Sequence, residues 1–76
     1  MGKIYKKIIS YKEVKDKSLD DILLEIAVPI IKRNRENNWM DDNYADIMCE
    51  FEDLYKYEEE DFELIRDKIL NLIKTV

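Results

Sequence analysis

Apolar residues recur along this chain at helical spacing in three stretches, and their phase predicts where helices begin and end. In the first stretch Leu19, Ile22, Leu23, Ile26, Ala27 and Ile30 share one face. Leu24, Val28 and Ile31 fall off it, so this helix is apolar nearly all round, as a central helix is. Ser18, followed by Asp21 three residues on, is a capping-box variant. The serine oxygen can take an orphan backbone N–H, while Asp20 and Asp21 suit the positive helix start. The spacing predicts a helix over 19–36, which Pro29 either kinks or ends near Ala27. Lys32, Arg33 and Arg35 fit a last turn, and the polar residues through Asn38 read as a loop.

The second stretch, 42–57, sets Tyr44, Ile47, Met48, Phe51, Leu54 and Tyr55 on one face. Asp42, Asp46, Glu50 and Asp53 lie opposite, with Asp41 or Asp42 as N-cap. The third, 60–75, aligns Phe62, Ile65, Ile69, Leu72, Ile73 and Val76, with Leu64 pointing away and Lys74 in the last turn. The link between these two is short, which predicts antiparallel packing.

Residues 3–15 fit two patterns. Ile4, Ile8 and Tyr11 fall at i, i+4, i+7 and favour a helix. Ile and Tyr also suit strands. The reading is an all-α fold, a small bundle of three to four helices. Alternatively residues 3–15 form a strand, giving α+β. A single Gly and a single Pro leave little material for the tight turns of an all-β fold. One domain spanning 1–76 is expected, with a thin core: a chain this short buries only about 60 % of its unfolded surface.

Charge changes this picture. Residues 1–38 hold nine Lys/Arg against six Asp/Glu, a net of +3; residues 39–76 hold four against twelve, a net of −8. Between Asp41 and Glu63 there are eleven carboxylates and one base, Lys56. Such a split speaks about partners rather than fold. Part of it is helpful locally, since the Glu58, Glu59, Glu60 and Asp61 run precedes a helix N-terminus. The stripe of Asp42, Asp46, Glu50 and Asp53 is less easily explained. It has almost no Lys at i±4, and like charges at that spacing destabilise a helix by roughly 0.2–0.5 kcal/mol per pair.

Much chemistry is excluded. There is no histidine, so the commonest general base, the commonest metal ligand and imidazole triads are all missing. One cysteine, Cys49, cannot build a Cys-rich zinc site, and its neighbours Asp46 and Glu50 do not favour a thiolate. The one glycine, at position 2, rules out a glycine-rich phosphate loop. The acidic run lacks the spacing of a calcium loop. No enzyme activity, cofactor or metal is expected. The lone cysteine and the lack of a signal peptide or a membrane-length apolar run suggest a cytoplasmic setting. The abundance of Ile, Lys, Asn, Asp and Glu suits an AT-rich genome, such as a bacterium or its phage.

Carboxylates one helical turn apart lie about 5–6 Å from each other, close to the phosphate spacing of a nucleic-acid strand. In size, acidity and helical character the chain resembles, as a class, the small acidic inhibitors of phages and mobile elements, anti-CRISPR and immunity proteins among them. The resemblance implies a nucleic-acid mimic that blocks a basic, nucleic-acid-binding surface of a larger protein. It implies no direct nucleic-acid contact and no membrane. The expected contact residues are Asp42, Asp46, Glu50, Asp53, Glu58, Glu59, Glu60 and Asp61, with Trp39 and Tyr57 as aromatic anchors. The alternative is a helical assembly module, either an adaptor or a homodimer, since a dipolar molecule can pair head to tail.

Overall fold

The computed structural model describes residues 4–7, 11–14 and 17–76. Three helices carry the fold: α1, Leu19–Glu36; α2, Asn43–Leu54; and α3, Phe62–Thr75. A small antiparallel sheet joins them, built from β1, Tyr5–Lys7; β2, Tyr11–Glu13; and β3, Tyr55–Lys56. Its strand order is β2-β1-β3, with Tyr5 opposite Glu13 on one side and Lys56 on the other. The protein is therefore a small, mainly helical fold.

Of the two readings of 3–15, the strand holds over Tyr5–Lys7 and Tyr11–Glu13, and the helix does not. Lys3, Ile8, Ile9, Ser10 and Lys15 lie outside the described residues. The helical spacing of Ile4 and Tyr11 loses to pairing on both sides of β1, a tertiary gain that sequence spacing cannot register. Ile4 is buried, and its carbonyl accepts from the Val14 N–H at 2.8 Å. This ties the N-terminal segment to the core.

The first helix matches its predicted bounds. Ser18 Oγ accepts from the Asp21 N–H at 3.2 Å, so the cap forms as read. Pro29 neither ends the helix nor divides it; α1 runs unbroken through eighteen residues. The missing proline N–H leaves the Glu25 carbonyl, four residues back, without its usual helical donor. Four residues of the predicted 42–57 helix lie outside α2: Asp42 belongs to a 3₁₀ turn, Met40–Asp42, Tyr55–Lys56 leave as β3, and Tyr57 follows in the link. Asp42 sits at the N-cap without a side-chain capping bond. A second 3₁₀ turn, Glu59–Asp61, leads into α3.

Phe51 is the centre of the core and has no exposed surface. Its ring stacks on Tyr55 at 5.4 Å and lies 5.7 Å from Tyr57. Ile22, Leu23, Ile31, Ile47, Ile65 and Ile69 close around it from all three helices. Apolar burial of this kind is the main force holding so small a chain. Leu64, read as pointing away, is exposed.

Candidate functional site: the acidic surface of α2 and the α2–α3 turn

The residues expected to meet a partner fall into three groups along α2. Trp39 and Asp42 stand at its N-terminal end, Asp46, Glu50 and Asp53 along it, and Tyr57 to Asp61 beyond its C-terminal end. Twelve helical residues span about 18 Å at 1.5 Å per residue. The two aromatic anchors therefore lie at opposite ends rather than in one patch.

The N-terminal corner is set by the end of α1. Asn38 takes a left-handed conformation, φ 60°, which asparagine tolerates better than most residues. The Trp39 N–H bonds the Asn34 carbonyl at 2.7 Å and the Asn38 N–H bonds that of Arg35 at 3.4 Å. This is a Schellman arrangement, with asparagine in the usual glycine position. It turns the chain sharply and leaves the Trp39 ring 51 % exposed, with Asp41 and Asp42 exposed beside it.

Asp46 does not stand free on the outer face. Its Oδ2 accepts from Arg33 Nη2 at 3.1 Å and from Asn34 Nδ2 at 3.0 Å. Asn34 Nδ2 also donates to Asn43 Oδ1 at 2.9 Å, and Arg33 Nε donates to Asn34 Oδ1 at 3.2 Å. Asn34 and Asn43 are completely buried, 0 % and 1 % exposed. Sequence reasoning placed Asn34 in a solvated tail and missed this polar tie. The signal was present: Asn34 lies four residues after Ile30 and three after Ile31, on the buried face of α1. Buried amides survive only where their hydrogen bonds are made, and no buried side-chain nitrogen or oxygen lacks a partner among the described residues.

Two more expected contacts are engaged within the protein. Asp61 is only 6 % exposed, at the start of α3, so its carboxylate faces inward rather than toward a partner. The Tyr57 ring is half-buried, and its hydroxyl donates to Glu52 Oε2 at 2.8 Å. Burial first, then the hydrogen bond and charge of Glu52, push this phenol from 10.0 up to about 12.

What remains exposed is a smaller set. Asp42, Glu50, Asp53, Glu58, Glu59 and Glu60 face solvent. None of them makes a side-chain hydrogen bond or ion pair among the described residues. Two bases, one from each half, pair with carboxylates outside this set: Lys17 with Glu25 at 2.9 Å and Lys68 with Asp20 at 2.7 Å. Glu50 also lines a groove of about 680 Å³ between α1 and α2. Glu59 and Glu60 flank a shallow depression with Tyr57 and Phe62. Among the described residues no group of carboxylate and thiol side chains is placed to hold a metal ion. Likewise, among them no helix is long and apolar enough to cross a membrane. Comparison with known protein families, curated proteins and solved structures finds no match for this chain.

Proposed function

We propose that this chain is a binding protein, not an enzyme: a small acidic antagonist that covers a basic, nucleic-acid-binding surface of a larger protein. The supporting observation is the set of exposed carboxylates at Glu50, Asp53, Glu58, Glu59 and Glu60, which make no side-chain bond among the described residues. They are held on a helix and a helical turn. In a thin core, repulsion among them is a standing cost, and a cationic partner would relieve it. Asp46 supports the surface from behind by tying α2 to α1, and Tyr57 braces the turn through Glu52. A cytoplasmic setting and a phage or mobile-element role of the anti-CRISPR or immunity kind follow from this reading.

The test is competition. The partner should be displaced by added DNA or RNA, and binding should weaken steeply as salt rises. Glu50→Lys with Asp53→Lys should abolish it while the helical circular dichroism stays unchanged. Binding indifferent to salt and to both substitutions would refute the reading. A second reading rests on a different observation: Leu24 and Val28, one turn apart on α1, are each 42 % exposed. They suit self-association. Light scattering that gives a dimer, lost in Leu24→Lys and kept in Glu50→Lys, would favour an assembly module instead.

A further inference from the structure

The shallow depression at the start of α3 joins aromatic rings to acidic charge. Five residues line it: Tyr57, Glu59, Glu60, Phe62 and Glu63. Two are aromatic, three are carboxylates and none is a base. Phe62 is 37 % exposed and stands outside the core cluster, although its spacing sets it on the apolar face of α3. Tyr57 is fixed in place, with its ring 5.7 Å from Phe51 and its hydroxyl committed to Glu52. That wall is formed before any ligand arrives, which lowers the cost of binding.

The charge of the lining is not cancelled. Glu59, Glu60 and Glu63 are exposed, and none makes a side-chain hydrogen bond or ion pair among the described residues. Arg66, one turn on from Phe62, pairs with Asp67 at 3.4 Å and does not line the depression. Lys56, next to Tyr57 in the chain, lines a separate hollow with Tyr5 and Glu58. The positive start of α3 offsets roughly half an elementary charge, which leaves most of the three formal charges. Rings alone would suit a leucine, and carboxylates alone would suit any cation. Together they select a cation with a flat, weakly hydrated face and N–H groups around its edge, which is a guanidinium. An ammonium is a compact, strongly hydrated point charge and uses the rings less well.

We propose that this depression seats a single arginine side chain of the partner protein. Its guanidinium stacks on the Phe62 ring and meets the carboxylates of Glu59, Glu60 and Glu63 at its edge. The seat rests on the antagonist reading for its partner and names the side chain that is met there.

Phe51 and Phe62 are the chain's two phenylalanines, and Phe51 has no exposed surface. Ring labelling therefore gives a reporter and an internal control in one NMR titration. The probes are the N-acetyl amides of arginine, lysine and leucine at matched ionic strength. Arginine should shift the Phe62 resonances saturably, leave Phe51 in place and bind more tightly than the other two. Phe62→Ala, followed through the Tyr57 ring, should weaken arginine about two- to fivefold, the share of an exposed cation–π contact. Phe62→Tyr, which keeps a ring, should not, and Glu60→Gln with Glu63→Gln should weaken arginine as well. A Phe62 ring that arginine does not move, or that responds equally to lysine or to leucine, overturns the seat. If the native chain then still captures a partner that DNA releases, the antagonist reading stands without it. Arginine bound here with no partner displaced by DNA would sink that reading and spare the arginine site.

Discussion

Two ends of α2 treat the same chemical group in opposite ways. At the α1–α2 corner the Asp46 carboxylate is drawn into a tie with Arg33, Asn34 and Asn43. At the α2–α3 turn Glu58, Glu59 and Glu60 are left in water with no side-chain partner among the described residues. The difference teaches that the acidic excess is not one feature. Some carboxylates hold helices together through side-chain bonds, and others are exposed at a helix start with no such bond among the described residues, so the proposed recognition role falls to the second kind. Asp61 and the Glu52 that holds Tyr57 belong with the first kind by burial and bonding.

Substitutions can break this contrast, and the largest effect should come from the corner. Asn34→Ala removes the donor shared by Asn43 and Asp46, leaving buried acceptors short, and should lower stability by about 1–3 kcal/mol. In a cycle with Asp46→Ala the two losses should be less than additive, a coupling of about 0.5–3 kcal/mol in chemical denaturation. Next is the turn that follows. Asn38→Val forces a β-branched residue into the left-handed region and should cost about 1–2 kcal/mol, while Asn38→Gly should raise the melting temperature. The acidic turn should respond least. Glu58→Gln, Glu59→Gln and Glu60→Gln together should change stability by no more than about 0.5 kcal/mol per site. Any gain should appear at low salt and vanish at high salt.

A pH titration sharpens the contrast within the second end itself. Unfolded, Tyr57 ionises at its ordinary value of 10.0, whereas folded it holds its proton to about 12. Its contribution is thus fully present below pH 10 and lost as pH climbs toward 12. The Tyr57 ring resonances, followed by NMR, should titrate near 12 rather than at 10.0. Stability in that window should fall more in the native chain than in Tyr57→Phe. A Tyr57 ring that ionises at 10.0 would mean that neither its burial nor the Glu52 bond holds in solution.

The parts legible in the sequence are those governed by neighbours along the chain. Ser18 and the apolar spacing after it marked α1 correctly because capping and helical periodicity are local effects. The α2 end was not legible. Tyr55 lies four residues after Phe51 and packs on its ring, so it fits a helical face. What removes it from the helix is pairing with Lys6, nearly fifty residues away. The same long-range pairing decided β1 against its helical spacing. Within the candidate site, the exposure of Glu50 and Asp53 followed from amphipathic phase. The capture of Asp46 did not, because it depends on two asparagines that a polar-outside rule sends to the surface.

The recognition surface proposed here is made by the carboxylates with no side-chain partner among the described residues, and not by the bonded ones. It is tested most directly by affinity capture from extract of the source cells with the native chain, Glu50→Lys/Asp53→Lys and Asn38→Gly, followed by elution with DNA. The native chain and Asn38→Gly should hold a partner that DNA releases, and the charge-reversed chain should not hold it. A partner retained by the charge-reversed chain and untouched by DNA would contradict it.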